Sequence, residues 1–199
     1  MSHPDPHLEE DMTEQGWYAT IEQWCSTHRI WATAPVIVLL LVFARPTPIS
    51  LWLGAVIVLL GEAGRAWASG YIDKNARLAT AGPYRFTRNP LYFANAIIFA
   101  GFCTMAANPW AAVLGIVLFT IIYRPVLRHE AQYMETLFGD EFRQWAAAVP
   151  LFFPRPTGYP GHGSYVWALV YKHREHKNAF AMLAGIVLFA LIGWWRGGL

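Results

Sequence analysis

The sequence has few charged residues for its length. Of its 199 residues only 14% are Asp, Glu, Lys or Arg, while 55% are hydrophobic, and soluble domains carry about 25% charged residues. The net charge of +2 is too small to indicate a nucleic-acid partner. The shortage of charge therefore predicts a protein embedded in a lipid bilayer and argues against an ordinary soluble domain.

Several motifs of soluble enzymes are also missing. The sequence contains no Walker loop, no Gly-x-Gly-x-x-Gly and no Gly-x-Ser-x-Gly. No strands alternate with helices, which excludes a Rossmann-type cofactor domain. The two cysteines, Cys25 and Cys103, do not make a disulfide framework. His173 and His176 have a spacing that can hold a metal, but no third ligand stands nearby, so we predict no metal site.

Long apolar segments take the place of those motifs. A helix needs about 20 apolar residues to cross a bilayer, and prolines break the chain between the segments. Asn108 and Pro109 predict a tight turn, so the third and fourth segments form a helical hairpin. We predict an all-α, polytopic transmembrane bundle of about five spans. These are Ile30–Ala44, Ile49 to about Gly70, Leu91–Ala107, Trp110–Tyr123 and Ala179–Trp195.

The segment before the first span has a helical pattern of its own. Large side chains recur every three or four residues, at Trp17, Ile21, Trp24 and His28. This spacing is typical of an amphipathic helix on the membrane surface, or of a helix packed on the loops. We therefore divide the chain into an N-terminal cytoplasmic or interfacial segment, 1–29, and a membrane domain, 30–199.

The distribution of positive charge predicts the orientation. With the N-terminus inside, all but two of the 15 Lys and Arg residues fall on the cytoplasmic side, the exceptions being Arg45 and Arg196. Cytoplasmic loops carry such an excess. We expect an integral membrane protein, in the inner membrane if bacterial, with the loops 71–90 and 124–178 facing the cytoplasm.

Three groups of residues are candidates for chemistry. Glu62 and Arg65 lie three apart on one helix face, either as a mutual ion pair or at the border of a polar cavity. Glu130 follows the fourth span, either on a solvated helix or as an acceptor for a ligand's hydroxyl groups. Polar residues also gather where the third span begins, at Tyr84, Arg85, Arg88 and Asn89. A helix N-terminus suits an anion such as a carboxylate, although helix capping and membrane anchoring explain the same pattern.

These motifs, taken in order, resemble the isoprenylcysteine carboxyl methyltransferase and phospholipid methyltransferase superfamily. Gly61-Glu62-x-x-Arg65 resembles the family's Gly-Glu-x-x-Arg. Leu78 to Tyr92, with Gly-Pro-Tyr and Arg-Asn-Pro inside it, resembles the Leu-x-x-x-Gly-x-Tyr…Arg-His-Pro-x-Tyr signature. Glu130 to Pro150, with Phe-Gly-x-x-Phe inside it, resembles the family's ending. The likeness covers about residues 55–154 and leaves the additional C-terminal span, 179–195, unmatched.

The resemblance implies a pocket for S-adenosylmethionine at the cytoplasmic mouth of the bundle, with S-adenosylhomocysteine as product. It also implies a loop that closes the pocket after the hairpin and a lateral entrance for a lipophilic or lipidated acceptor from the membrane lipids. The cofactor-binding residues would be Leu78, Gly82, Pro83, Tyr84, Arg85, Arg88, Asn89, Pro90, Tyr92 and Glu130, and the catalytic residues Arg88, Glu130, Glu62 and Arg65. Asn89 stands where the family often has His, and Ala94 where it often has Gly.

The chemistry of the acceptor has two readings within this resemblance. The first is O-methylation of the carboxylate of a prenylcysteine-like substrate, which needs no base, with Arg88 orienting either the cofactor carboxylate or an acidic acceptor. The alternative is N-methylation of a phospholipid or other lipid amine, with Glu130 or Glu62 as the base. Two further alternatives are a sterol-type reductase, which the short length disfavours, and a non-catalytic membrane accessory protein.

Overall fold

A computed structural model describes residues 29–73 and 76–198, and the side chains from Pro35 onward within those ranges. The described residues are helical and contain no strand. The predicted surface helix around 17–28 lies outside them. The helices are α1 (Arg29–Phe43), α2 (Pro48–Ser69), a short 3₁₀ helix (Gly82–Arg85), α3 (Pro90–Ala106), α4 (Pro109–Ala148), α5 (Trp167–Lys172) and α6 (Glu175–Trp195).

The predicted apolar segments all form helices, and large apolar side chains cover their outer faces. By length and composition α2, α4 and α6 are long enough to cross a membrane, whereas α3 is apolar but shorter, with 17 residues, and α1 has 15. Trp52 and Trp110 are 74% and 83% exposed. Apolar patches of this extent mark a surface that meets lipid. The polytopic helical bundle predicted from the sequence is thus confirmed.

Proline and a capping side chain set the helix starts. Pro48, Pro90 and Pro109 each begin a helix, where a missing N–H costs nothing. The Thr47 hydroxyl accepts a hydrogen bond from the backbone N–H of Ser50, whose own hydroxyl accepts one from the Thr47 N–H. This reciprocal cap satisfies two donors at the start of α2.

The most extensive helix contact joins α2 to α3, and glycine makes it possible. A Cβ on Gly54 would lie 2.5 Å from the Gly101 carbonyl oxygen, and a Cβ on Gly101 would lie 2.7 Å from that of Gly54. Small residues let two membrane helices approach this closely. The Ala94 side chain, which replaces a frequent Gly of the family, is buried against Gly64 at the same interface rather than in a cavity wall.

Helix α4 extends well beyond the predicted fourth span. The sequence places its end near Tyr123 and a long loop at 124–178, whereas the helix runs to Ala148, with one non-helical residue at Gly139 (φ 51°, ψ −121°). Hydropathy marks where the membrane ends, but backbone hydrogen bonds continue a helix into water wherever side chains permit. The cytoplasmic segment predicted at 124–178 is therefore helical as far as Ala148, and this extension carries Glu130 and Trp145 to the end of the bundle.

Further contacts between the helices complete the bundle. Helix α1 packs on α4, and α6 packs on α2 and α3. The Arg196 guanidinium, just after α6, donates to the backbone carbonyls of Val42 and Ala44 at the end of α1. A cation there satisfies orphan carbonyls and the helix dipole. An apolar core containing Val58, Met105 and Phe189 joins the membrane helices.

Candidate functional site

A strap formed by residues 150–166 covers the turn before α3. The backbone N–H of Arg88 donates to the Pro150 carbonyl at 2.9 Å, and the Asn89 side-chain amide donates to the Leu151 carbonyl at 2.9 Å. Further along, the backbone N–H of Tyr159 donates to the Arg85 carbonyl, and Arg85 Nε donates to the Tyr159 carbonyl. Hydrogen bonds therefore fix the strap against the segment that runs from the Gly-Pro-Tyr turn to Asn89.

A first cavity of about 300 Å³ lies between the start of α3 and the extension of α4, and Leu151 of the strap is part of its wall. This is the lower end of the range for small-molecule sites. Arg88 and Glu130, from separate sequence motifs, both line it. The wall is formed by Ile72, Arg77, Ala79, Tyr84, Arg88, Asn89, Pro90, Leu91, Tyr92, Glu130, Ala131, Tyr133, Met134, Phe142, Trp145 and Leu151.

Four buried polar atoms of this wall have no hydrogen-bond partner among the residues that the structure describes. They are the Tyr84 hydroxyl, Arg88 Nε, Glu130 Oε2 and Trp145 Nε1. A buried polar group without a partner costs about 1–3 kcal/mol, and native proteins contain few of them. Their convergence on one cavity indicates a site built for a polar ligand that supplies acceptors to three of these groups and a donor to Glu130.

Burial shifts the pKa of two of these groups, Tyr84 and Arg88. It raises the pKa of the Tyr84 phenol far above its ordinary value, and the nearby Glu130 carboxylate raises it further. Burial also lowers the pKa of the Arg88 guanidinium, which nevertheless stays charged at neutral pH because arginine is not deprotonated in proteins. The cavity is thus lined by a neutral phenol donor, a cation and a carboxylate.

A second cavity, of about 540 Å³, adjoins the first and shares Ile72, Leu91, Tyr92 and Glu130 with it. Its two ends differ in chemistry. Along α3 the lining changes from Asn95 to Ile98, Phe99 and Phe102, and along α6 it changes from Glu175 and Asn178 to Met182. The cavity therefore has a polar end beside Glu130 and an apolar end deeper among the membrane helices.

Helix α6 supplies the partners of Glu62 and Arg65. Arg65 donates to both carboxylate oxygens of Glu175 at 3.1–3.2 Å and, through Nη1, to Asn95. The Asn178 amide donates to both oxygens of Glu62, at 2.8 and 3.1 Å. Of the two sequence-based readings, the mutual ion pair is therefore not the one observed, because each residue is held by α6 instead. Arg65 lines the second cavity, and Glu62 lies behind it.

The other predicted residues divide into two groups. Tyr84, Arg88, Asn89, Pro90, Tyr92 and Glu130 line the first cavity, whereas Leu78, Gly82, Pro83 and Arg85 lie outside its wall. Gly82 (φ 57°) instead forms the turn, and a Cβ there would collide with the Tyr71 ring. Leu78 and Pro83 are buried behind the turn, and the Arg85 side chain is exposed and holds the strap. These four support the shape of the site.

Sequence reasoning missed Trp145, Glu175 and Asn178 as members of the site. The buried indole N–H of Trp145 becomes visible only in three dimensions. Glu175 and Asn178 lie beyond the region of family likeness. Glu175 and Asn178 are three positions apart, as are Glu62 and Arg65, and this equal spacing is the one sequence signal that could have matched the two pairs.

Comparison with known families shows what this protein is similar to. Residues 49–141 match the model of the family described as phospholipid methyltransferase. That family belongs to the superfamily of integral membrane methyltransferases that includes isoprenylcysteine carboxyl methyltransferase. The resemblance drawn from the motifs is confirmed.

Two curated relatives carry names from metal resistance. The cobalt-zinc-cadmium resistance protein CzcN of Cupriavidus metallidurans is 34% identical over 60% of this chain and 56% of its own length. The nickel-cobalt-cadmium resistance protein NccN of Alcaligenes xylosoxydans xylosoxydans is 28% identical over 73% of this chain and 74% of its own. The match thus spans little more than half of CzcN. No solved structure matches the chain significantly.

No metal centre stands out in the described part of the chain. It contains no group of three or more His, Cys, Asp and Glu side chains placed to hold an ion. His173 Nδ1 lies 3.3 Å from the Ser69 carbonyl oxygen, and the His176 ring packs on Tyr171. The two histidines are therefore engaged with different neighbours.

Proposed function

We propose that this chain is a membrane methyltransferase that binds S-adenosylmethionine in the first cavity and methylates a lipophilic acceptor held in the second. The convergence of four buried, unpartnered polar atoms on one cavity carries this proposal. Tyr84, Arg88 and Trp145 offer donors that suit a carboxylate or ring nitrogens, and Glu130 offers an acceptor that suits hydroxyl groups. The cofactor carries all of these groups, so the residues fit it.

The residues of the chain contribute position and a dry environment. When bound, the cofactor supplies a methyl group activated by its sulfonium. Arg88 and Tyr84 hold an anionic group, the apolar side chains of the wall displace water, and the wall shared by the two cavities brings the acceptor beside the cofactor site. Alignment of two reactants in this way can contribute about 7–11 kcal/mol to a reaction.

The charges around the second cavity favour an amine acceptor. Arg65 and Glu175 line it and neutralise each other as an ion pair, so the Glu130 carboxylate leaves its polar end with a net negative charge. A carboxylate acceptor would meet this acidic surface unfavourably. The sequence-based preference for a prenylcysteine carboxylate remains a prediction, and we favour its alternative, N-methylation of a lipid amine. The other oxygen of the Glu130 carboxylate, which lines both cavities, is then the base that takes the proton of the ammonium and frees its lone pair, and Oε2 is left for the cofactor hydroxyl groups.

The test uses the full chain in lipid nanodiscs. Calorimetry with S-adenosylmethionine should show saturable binding, and label from the cofactor methyl group should enter phosphatidylethanolamine rather than a prenylcysteine analogue. Glu130→Gln should keep binding within a few fold but reduce turnover by about 10²–10⁴. Arg128→Ala, on the exposed side of α4, is the matched control. Turnover unchanged in Glu130→Gln would remove the proposed base.

A non-catalytic role in metal resistance is the second candidate, because the two relatives are named for resistance to cobalt, zinc, cadmium and nickel. The same calorimetry separates the candidates. A methyltransferase binds S-adenosylmethionine, a reductase binds NADPH, and an accessory protein binds neither. Absence of cofactor binding by the folded wild-type chain would favour the accessory role.

A further inference from the structure

The first turn of α6 binds one face of α2 through two pairs of polar side chains that have the same spacing along their helices. Glu175 and Asn178 are three residues apart, as are Glu62 and Arg65, and each residue of one pair binds one of the other. Glu175 is 5% exposed, so its carboxylate and the Arg65 guanidinium form a largely buried ion pair. Glu62 and Arg65 lie within the family-matched segment 49–141, whereas Glu175 and Asn178 lie beyond it, because α6 begins 34 residues after position 141.

The pair controls the charge at the polar end of the second cavity. Both partners line that cavity. With the pair intact, the two charges cancel, and Glu130 leaves the wall acidic. Without Glu175, the Arg65 guanidinium would be an unpaired buried cation facing the same space, and charges in such a setting act strongly because water screens them poorly.

We propose that Glu175 determines the headgroup selectivity of the second cavity: by neutralising Arg65 it makes the polar end a site for the cationic headgroup of an amphiphile and a poor site for an anionic one. Glu175 is a specificity-determining residue that acts through Arg65. The apolar end, with Phe99, Phe102 and Met182, receives the hydrocarbon chain. This inference rests on the proposed function for its meaning in catalysis, but its binding test does not need the cofactor.

The experiment measures binding of two probes that differ only in headgroup. They are a long-chain amine and the matching fatty acid, each with a fluorophore at the far end of the chain, added to the full chain in nanodiscs of neutral lipid. The wild type should prefer the amine. Glu175→Gln should shift the amine-to-acid ratio of affinities by at least about tenfold toward the acid, and Arg65→Gln should shift it in the opposite direction.

Two controls protect this test against misfolding. The double variant Arg65→Gln with Glu175→Gln removes both charges, leaves the net charge unchanged, and should keep the amine preference of the wild type. Such paired replacements are often tolerated, whereas loss of one partner of a buried pair is costly. Lys177→Ala changes an exposed residue of the same helical turn and should behave as wild type.

The pattern of shifts decides the outcome. Opposite shifts in the two single variants support the assignment of selectivity to this pair. Parallel losses for both probes, no shift in either variant, or a wild type that prefers the fatty acid would each overturn it. If S-adenosylmethionine fails to bind while the opposite shifts are seen, the proposed methyl transfer fails and the amphiphile site stands.

Discussion

Replacement of Tyr84 by Phe should have opposite effects on the free protein and on its complex with S-adenosylmethionine. The Tyr84 ring is 4% exposed and its hydroxyl has no partner among the described residues. Phenylalanine fills the same space without the hydroxyl, so the change removes a buried polar group and little packing.

The free protein should become more stable. An unsatisfied buried group costs about 1–3 kcal/mol, and relief of even about 1 kcal/mol raises the melting temperature of a chain of this size by about 2–4 °C. Burial raises the Tyr84 pKa, so the phenol is neutral in the folded and unfolded chain below the ordinary phenol pKa of about 10. The gain should therefore be constant at neutral pH and should increase above about pH 10, where wild-type stability falls because only the unfolded chain ionises.

Cofactor binding should become weaker. Loss of one net hydrogen bond of about 1 kcal/mol raises Kd roughly fivefold. Thermal unfolding without ligand and calorimetry with S-adenosylmethionine measure the two effects on the same preparation. Tyr171→Phe, whose ring is 67% exposed, is the control and should change neither quantity. A Tyr84→Phe chain that is less stable, or that binds the cofactor as wild type does, would refute the view that this hydroxyl forms a hydrogen bond with the bound cofactor.

The remaining predictions concern a cation, an indole and a helix crossing. Arg88→Ala should weaken S-adenosylmethionine binding by about 1.5–3 kcal/mol, the range for hydrogen bonds to charged groups, and unchanged affinity and turnover together would dismiss its role. Trp145→Phe should also weaken cofactor binding, by calorimetry, and equal affinity would place the indole N–H outside the ligand site. Gly101→Leu should destabilise the α2–α3 contact by at least about 1–3 kcal/mol in thermal unfolding. Gly64→Ala, where a Cβ would sit 3.5 Å from its neighbour, is the tolerated control for Gly101→Leu.

The sequence by itself determined the local features of this fold. Apolar runs marked the helices, and Pro48, Pro90 and Pro109 marked where three of them start. Glu130 and the Gly-Pro-Tyr turn were assigned to one end of the bundle from charge and span order, and they do meet in one cavity. Signals of this kind succeed because hydropathy, turn chemistry and helix starts depend on neighbouring residues.

Only the tertiary structure shows which side chains bind Arg65 and Glu62. Arg65 binds Glu175, 110 positions away, and Glu62 binds Asn178, 116 positions away, whereas the sequence could only offer a local ion pair. Likewise, the burial of Trp145 depends on how the extension of α4 folds back over the turn. Such contacts follow from which faces of separate helices pack together, and the spacing of residues along one helix does not specify the face or the height at which another helix will meet it.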